Sequence, residues 1–175
     1  MSIQSSVMEN VDFTVRRAGS EDREALLEMY SSFEPRGGML GLPPQNNVEH
    51  WLDTLAAYPN FVVYVEDRLA GHGMICPDGD TAELAVFVHQ DFRRQHIGKQ
   101  LFTHMIYQAK QMGLRRVWGI TEPDNLPMLR LACSFGFVRT DDPFEFSLDL
   151  QANPKSSAEA GEDDADSCHC SCQLE

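Results

Sequence analysis

Glu83-Leu84-Ala85-Val86-Phe87-Val88, followed across His89-Gln90-Asp91-Phe92 by Arg93-Arg94-Gln95-His96-Ile97-Gly98-Lys99, is the stretch on which the fold of this chain turns. Its first residues are apolar and partly β-branched and read as a buried strand. Beyond the basic run, apolar residues recur at Leu101, Phe102, Met105, Ile106 and Ala109, the spacing of one helix face. The order is therefore strand, basic glycine-containing turn, amphipathic helix. Such a turn suits an anion. The first turn of a helix has unpaired N–H groups and the positive end of the dipole, and Gly98 leaves the backbone open to close approach. Arg93, Arg94 and Lys99 concentrate positive charge in a chain whose net charge is −13. The plain alternative is an ordinary strand-to-helix turn whose arginines are solvated.

Working outward towards the C-terminus, Met112-Gly113 stops the helix. Arg116-Val117-Trp118-Gly119-Ile120-Thr121 is the next strand. Asp124 or Asn125 caps a helix to about Ser134, Phe135-Gly136-Phe137 turns out of it, and Phe144-Glu145-Phe146-Ser147-Leu148-Asp149-Leu150 alternates as a closing strand. In the other direction, residues 61–66 and 69–76 read as an antiparallel pair turned at Asp67-Arg68, with Gly71 and Gly73 weakening the second strand. Asn46-Asn47-Val48-Glu49 resembles a capping box that opens a helix through about Tyr58, with Trp51, Leu52 and Leu55 on one face. Residues 34–44 are a Gly/Pro-rich loop. Ser20 is the expected N-cap of a helix to about Phe33, buried through Leu26, Leu27, Met29 and Tyr30, and residues 12–17 form the first strand.

The basic turn resembles the acyl-CoA pyrophosphate loop of the GNAT superfamily of N-acetyltransferases, Arg/Gln-x-x-Gly-x-Gly/Ala, with His96 in place of the first glycine. A second block, from Asn125-Leu126-Pro127-Met128 to Phe135-Gly136-Phe137, is similar to that superfamily's Asn-x-x-small helix and Gly-Phe turn. Around both motifs there is also similarity to the acetyltransferase domains of bacterial protein lysine acetyltransferases. The resemblance implies an α/β (α+β) fold: a mixed, mostly antiparallel sheet with helices on both faces and a V-shaped cofactor cleft. The V should open where the strands of Val86 and Val117 part. It implies an N-acetyltransferase domain over residues 11–150 and acetyl-CoA (coenzyme A) as cofactor. Contacts to the cofactor are implied for Val86, Phe87, Val88, Arg93, Arg94, Gln95, His96, Ile97, Gly98, Lys99, Asn125 and Met128. Asn125 can equally be a helix cap, and the two roles are compatible. The loop over residues 34–44 is either a connector or a wall of the acceptor site.

A chain of 175 residues with 42% hydrophobic content can bury one sizeable core. The acidic balance argues against nucleic acid or an anionic membrane as partner, since both reward clustered Lys and Arg. No apolar run approaches the ~18–20 residues of a membrane span. Met1-Ser2-Ile3-Gln4-Ser5-Ser6 lacks the basic and apolar regions of a secretory signal, so a cytoplasmic location is expected. Residues 151–175 turn acidic and small and read as a disordered tail. Its Cys168-His169-Cys170-Ser171-Cys172 lacks the paired spacing of a structural zinc site, so no metal is expected. A homodimer stays open.

Acetyl transfer to an amine requires a neutral amine and a stabilised or protonated leaving thiolate. Glu83, at the start of the central strand, is the expected base, acting directly or through water, and Glu122 is the next candidate. Many superfamily members carry a Tyr seven residues after the Asn; here that position is Ala132, beside Cys133 and Ser134. A thiolate of pKa about 8.5 is a tolerable leaving group, so the missing acid need not abolish activity. Two functions follow: an enzyme that acetylates a primary amine of a small molecule or protein, or a non-catalytic acyl-CoA sensor.

Overall fold

In the computed structural model, which describes residues 13–37 and 41–151, the longest antiparallel ladder joins β3 (Arg68–Asp78) to β4 (Thr81–Val88), in register from Gly71↔Val88 to Asp78↔Thr81. Around it lie β1 (Val15–Arg17) and β2 (Asn60–Val65) on one side, and β5 (Arg116–Ile120), β7 (Glu145–Asp149) and β6 (Val138–Arg139) on the other. The resulting 7-stranded sheet has the order β1-β2-β3-β4-β5-β7-β6, and every neighbouring pair is antiparallel except β4–β5. The expected mixed, mostly antiparallel sheet is therefore present. The expected tail, Gln151 apart, lies outside the described residues, as does Asp12 of the expected first strand.

Helices cover both faces because β4 alternates. Leu84 and Val86 join the core beneath α3 (Ile97–Gln111) and α4 (Leu126–Ser134), together with Leu101, Phe102 and Met105. Phe87 joins the core beneath α1 (Arg23–Ser31) and α2 (Val48–Leu55), with Leu26, Met29, Tyr30 and Leu52. Each such side chain, once fully buried, contributes roughly 1.5–3 kcal/mol. Gly71 and Gly73 do not weaken β3; they let α3 lie against it. A Cβ on Gly71 would stand 2.8 Å from Ile97 Cγ2, and one on Gly73 would stand 2.5 Å from Met105 Sδ.

The α1–α2 face is the more polar of the two inside. Asn60 Nδ2 donates to the carbonyls of Leu55 (2.8 Å) and Tyr58 (2.7 Å), so its Oδ1 is turned to His72 Nε2 at 2.9 Å. His72 must therefore donate from Nε2, and its Nδ1 accepts from the Tyr30 hydroxyl at 2.8 Å. Complete burial pushes the His72 pKa down to about 3. Asp22, 1% exposed, accepts two bonds from Arg16 (2.8 and 2.6 Å), one from Gly19 N–H and one from Tyr64 Oη. The Arg16 bond contributes most to holding that carboxyl down to about 2.

Several element ends differ from expectation. Ser20 opens a short 3-10 turn rather than capping α1. Asp22 closes that turn on Gly19, and α1 ends at Ser31 instead of Phe33. Asn47 caps α2 through backbone in the left-handed region (φ 57°) with no side-chain cap bond, so no capping box forms. α2 stops at Leu55 because Asn60 takes its terminal carbonyl. The β2–β3 turn sits at Glu66-Asp67, with Glu66 at φ 54°, and Arg68 already belongs to β3. Among the described residues no helix is long and apolar enough to cross a membrane.

Candidate active site

β4 and β5 pair over only Thr81↔Arg116, Ala82↔Val117 and Glu83↔Trp118, and then separate. The expected V opens there, and a cavity of about 710 Å³ fills it, within the usual range for a small-molecule site. Along β4 the carbonyls of Ala85 and Phe87 approach β3, and His89 N–H donates to Ala70 O at 2.9 Å. By the alternation of an antiparallel ladder, the backbone groups of Leu84, Val86 and Val88 then point the other way. Leu84 O meets β5, standing 3.0 Å from where a Cβ on Gly119 would be. Val86 lies beyond the last paired residue, so its N–H and C=O face the cleft.

The mouth of the cleft is the basic turn. Arg94 and His96 both adopt left-handed backbone (φ 64° and 65°), and His96 is the N-cap of α3 without a side-chain cap bond. The first helical bond is Gln100 N–H to His96 O, at 3.1 Å, so the amides of Ile97, Gly98 and Lys99 have no acceptor within the helix. The glycine of the resembled pattern now has a physical reason. His96 occupies a left-handed position that glycine takes freely and that a side chain takes at a cost of about 1–2 kcal/mol. The turn keeps its shape all the same. Gly98 faces α4 and β4: its Cβ would stand 3.2 Å from Leu131 Cδ2 and 3.7 Å from Val88 Cγ2.

The three cations of this turn divide. Arg94 and Lys99 line the cavity and pair with no carboxylate among the described residues. Arg93 also lines it, but its guanidinium is engaged. Nε donates to Val88 O at 3.1 Å, Nη2 donates to Glu34 O, and the group stands 5.6 Å from the Phe33 ring centre. Arg93 thus ties the end of β4 to the start of the Gly/Pro-rich loop. Gln90 adds to the same tie, donating to Ser32 O at 2.5 Å and accepting from Glu34 N–H at 3.0 Å. Gln95, expected among the contacts, is absent from the cavity lining.

Phe33, Pro35, Gly41 and Leu42 form one wall of the cavity, so the loop over residues 34–44 is more than a connector. Gly41 lies so close to β5 that a Cβ there would stand 2.5 Å from Ile120 O. Glu83 lines the cavity from β4, half-buried, and burial raises its pKa. By strand alternation it shares the α1–α2 side with Phe87. Opposite it in register is Cys76, whose thiol is pushed up to about 11 by burial and by the Glu83 charge. Val86, Phe87, Val88, His96, Ile97, Asn125, Met128 and Glu122 line the same cavity. Asn125 caps α4, its Oδ1 accepting Met128 N–H at 3.3 Å, while its Nδ2 donates to Thr121 Oγ1 at 2.9 Å. Thr121, Phe92 and Phe146 are among the further lining residues that were not singled out in the sequence, and Asp124, the alternative cap, lines the cavity too. Thr121's position, four residues before a capping Asn at a strand end, was the available signal. Ala132 is buried in the α3–α4 core, and Cys133 and Ser134 are exposed and do not line the cleft.

The Acetyltransferase (GNAT) family profile matches residues 23–137, the span from α1 to the turn after α4. Solved structures share the fold. An N-acetyltransferase from Staphylococcus aureus Mu50 is 20% identical with a TM-score of 0.65, covering 80% of this chain and 99% of its own. The putative acetyltransferase yncA from Salmonella typhimurium, solved with acetyl-CoA, is 20% identical with a TM-score of 0.66, covering 81% and 96%. The ribosomal-protein-S18-alanine N-acetyltransferase from Escherichia coli is 18% identical with a TM-score of 0.64, covering 83% and 98%. The parted sheet and the cationic helix terminus at its mouth fit the acyl-CoA-dependent acetyltransferase class that the family match shows. The chain belongs to the GNAT acetyltransferase family, and its cofactor is acetyl-CoA.

Proposed function

We propose that this protein transfers the acetyl group of acetyl-CoA to a primary amine, carried by a small molecule or by a protein. One observation carries the reading: a single cavity joins a cationic helix terminus to a half-buried carboxylate, Glu83. Acetyl-CoA supplies an activated acetyl thioester. The free amides of Ile97, Gly98 and Lys99, with the Arg94 and Lys99 side chains, suit its pyrophosphate. The unpaired Val86 edge suits the pantetheine arm, taken up in the manner of an added strand. Glu83 lines the cavity together with Phe33, Pro35 and Leu42, the wall assigned to the acceptor in this reading.

An amine of lysine type is mostly protonated near neutrality and has to lose a proton before it can attack. Glu83 takes that proton, directly or through one water. Burial helps, because a carboxylate whose pKa is raised towards the working pH is a stronger base. Glu122, two residues past β5 and lining the same cavity, is the next candidate for the role.

The test is release of free thiol from acetyl-CoA against a panel of primary amines. The panel includes polyamines, lysine peptides and peptides with N-terminal alanine, because fold neighbours from Escherichia coli and Brucella melitensis are ribosomal-protein-alanine N-acetyltransferases. Amine-dependent thiol release supports the reading. Calorimetric binding of coenzyme A with no release for any amine favours the acyl-CoA sensor instead.

A further inference from the structure

Nothing in the tyrosine-bearing position of α4 can serve the leaving sulfur, because Ala132 is 1% exposed and packed in the core. Its neighbours cannot stand in. Cys133 and Ser134 lie on the exposed side of α4, and Ser134 Oγ donates to Leu131 O at 2.7 Å. Among the described residues that line the cleft, Thr121 alone carries a hydroxyl. That hydroxyl is unusual in its bonding. Thr121 is 5% exposed, and its Oγ1 accepts from Asn125 Nδ2 at 2.9 Å. Asn125 cannot be turned round, since its Oδ1 is committed to Met128 N–H. The Thr121 hydrogen has no acceptor among the described residues. A buried O–H without an acceptor is costly, and here the open space beside it is the cleft.

We infer that Thr121, oriented by Asn125, is the hydrogen-bond donor to the sulfur that departs when the acetyl group is transferred. Thr121 directly follows β5, and its N–H still donates to Phe144 O at 2.9 Å. The alternation of the strand therefore continues to it and puts it on the same side as Val117 and Gly119, the α3–α4 side, whereas Glu83 is on the α1–α2 side. The two groups therefore face the reaction from opposite sides. The amine lone pair forms the nitrogen–carbon bond and Glu83 receives the amine proton. The carbon–sulfur bond breaks with its electron pair on sulfur, and the Thr121 O–H donates to that thiolate until solvent protonates it. Thr121 keeps its own proton throughout. This role rests on the acetyl-transfer reading.

Coenzyme A itself is the probe, so no acceptor is needed. The ultraviolet absorbance of the thiolate is titrated with coenzyme A bound to the full-length wild type, T121V and T121S. The bound thiol is expected to titrate about one pH unit higher on T121V than on wild type. T121S restores the wild-type value, and all three bind coenzyme A within about threefold of one another. With any amine that turns over, kcat of T121V falls ~10–100-fold at every pH, because threonine does not titrate, with acceptor KM unchanged. Equal thiol pKa values on T121V and wild type, both with coenzyme A bound, overturn the inference. If T121V does not fold, T121A is compared with T121S and the same shift is required. Failure of the wild type to bind coenzyme A sinks the acetyltransferase reading itself, and the role of Thr121 with it.

Discussion

The mouth of the cleft and its far end are built by different means. The mouth is one short stretch, residues 93–99, which presents mainly backbone amides displayed by two left-handed residues and the start of α3. The far end is assembled from β4, the residue following β5 and the chain after α1, which contribute Glu83, Thr121 and the wall of Phe33, Pro35, Gly41 and Leu42. A cradle of backbone should tolerate change in its side chains as long as the turn survives, and with His96 in the left-handed position the turn keeps its shape. A site assembled from side chains on separate elements has no such slack. Mutations at the far end should therefore strike turnover, and those at the mouth should strike cofactor affinity or stability.

The sharpest break would come from Glu83→Gln, which keeps size and hydrogen bonding but removes the basicity of the proposed base. Turnover is expected to drop ~10²–10⁴-fold with coenzyme A affinity nearly unchanged. The wild-type rate should fall on the acid side through a pKa above the ordinary carboxylate value, because the raised pKa leaves Glu83 protonated there. That limb should vanish in the variant, and its deficit should shrink at high pH as solvent supplies the free amine. Wild-type turnover by the variant at neutral pH would move the assignment to Glu122.

Arg94→Glu tests the mouth. Loss of a hydrogen bond to a charged group, with repulsion added, should weaken coenzyme A by at least ~1.5–3 kcal/mol in calorimetry. Arg93→Gln gives the contrast, since the Arg93 guanidinium is already bound to Val88 O and Glu34 O. Equal losses for the two would mean that Arg93 leaves its tie when the cofactor binds.

A smaller effect concerns the support beneath the acceptor side, where Phe33 and Phe87 pack on Tyr30 and Tyr30 bonds to His72. His72 stays neutral in the fold down to about pH 3, while in the unfolded chain it takes up a proton near 6.5. The unfolded state binds more protons in that window, so stability rises with pH across it and is lost as pH falls. Denaturant titrations should show about 1.4 kcal/mol lost at pH 5.5 from this residue alone. A flat stability profile between pH 6.5 and 5 would contradict the assigned tautomer and burial.

The smallest change expected is His96→Gly. Relief of the left-handed position, set against the entropy of a glycine, should shift stability by about 1 kcal/mol or less and leave coenzyme A affinity unaltered. A large loss of affinity would show that the imidazole is itself a ligand.

Much of the molecule could be read along the chain. The β4–turn–α3 unit, the Asn125 cap and the alternation of β7 all depend on contacts within a few residues, and local period and capping chemistry decide those. The start of α1 after Asp22 and the end of α2 at Leu55 could not be read in the same way, because Asp22 is held by Arg16 and Tyr64 of neighbouring strands and Asn60 is turned by His72. Nor could the function of Gly71 and Gly73, which appear as flaws in a strand until α3 is laid against them.

By itself, then, the sequence determined the basic turn, the helix it opens and the apolar strand before it, since these follow from spacing within one segment. Tertiary structure alone decided that Arg93 turns to Glu34, that Glu83 and Thr121 face one cleft from opposite sides, and that Ala132 is buried out of its reach. The physical reason is the parting of β4 from β5 after Glu83 and Trp118. Two strands joined through α3 bring together side chains whose relation depends on register and on which face each residue takes, and neither is encoded at short range.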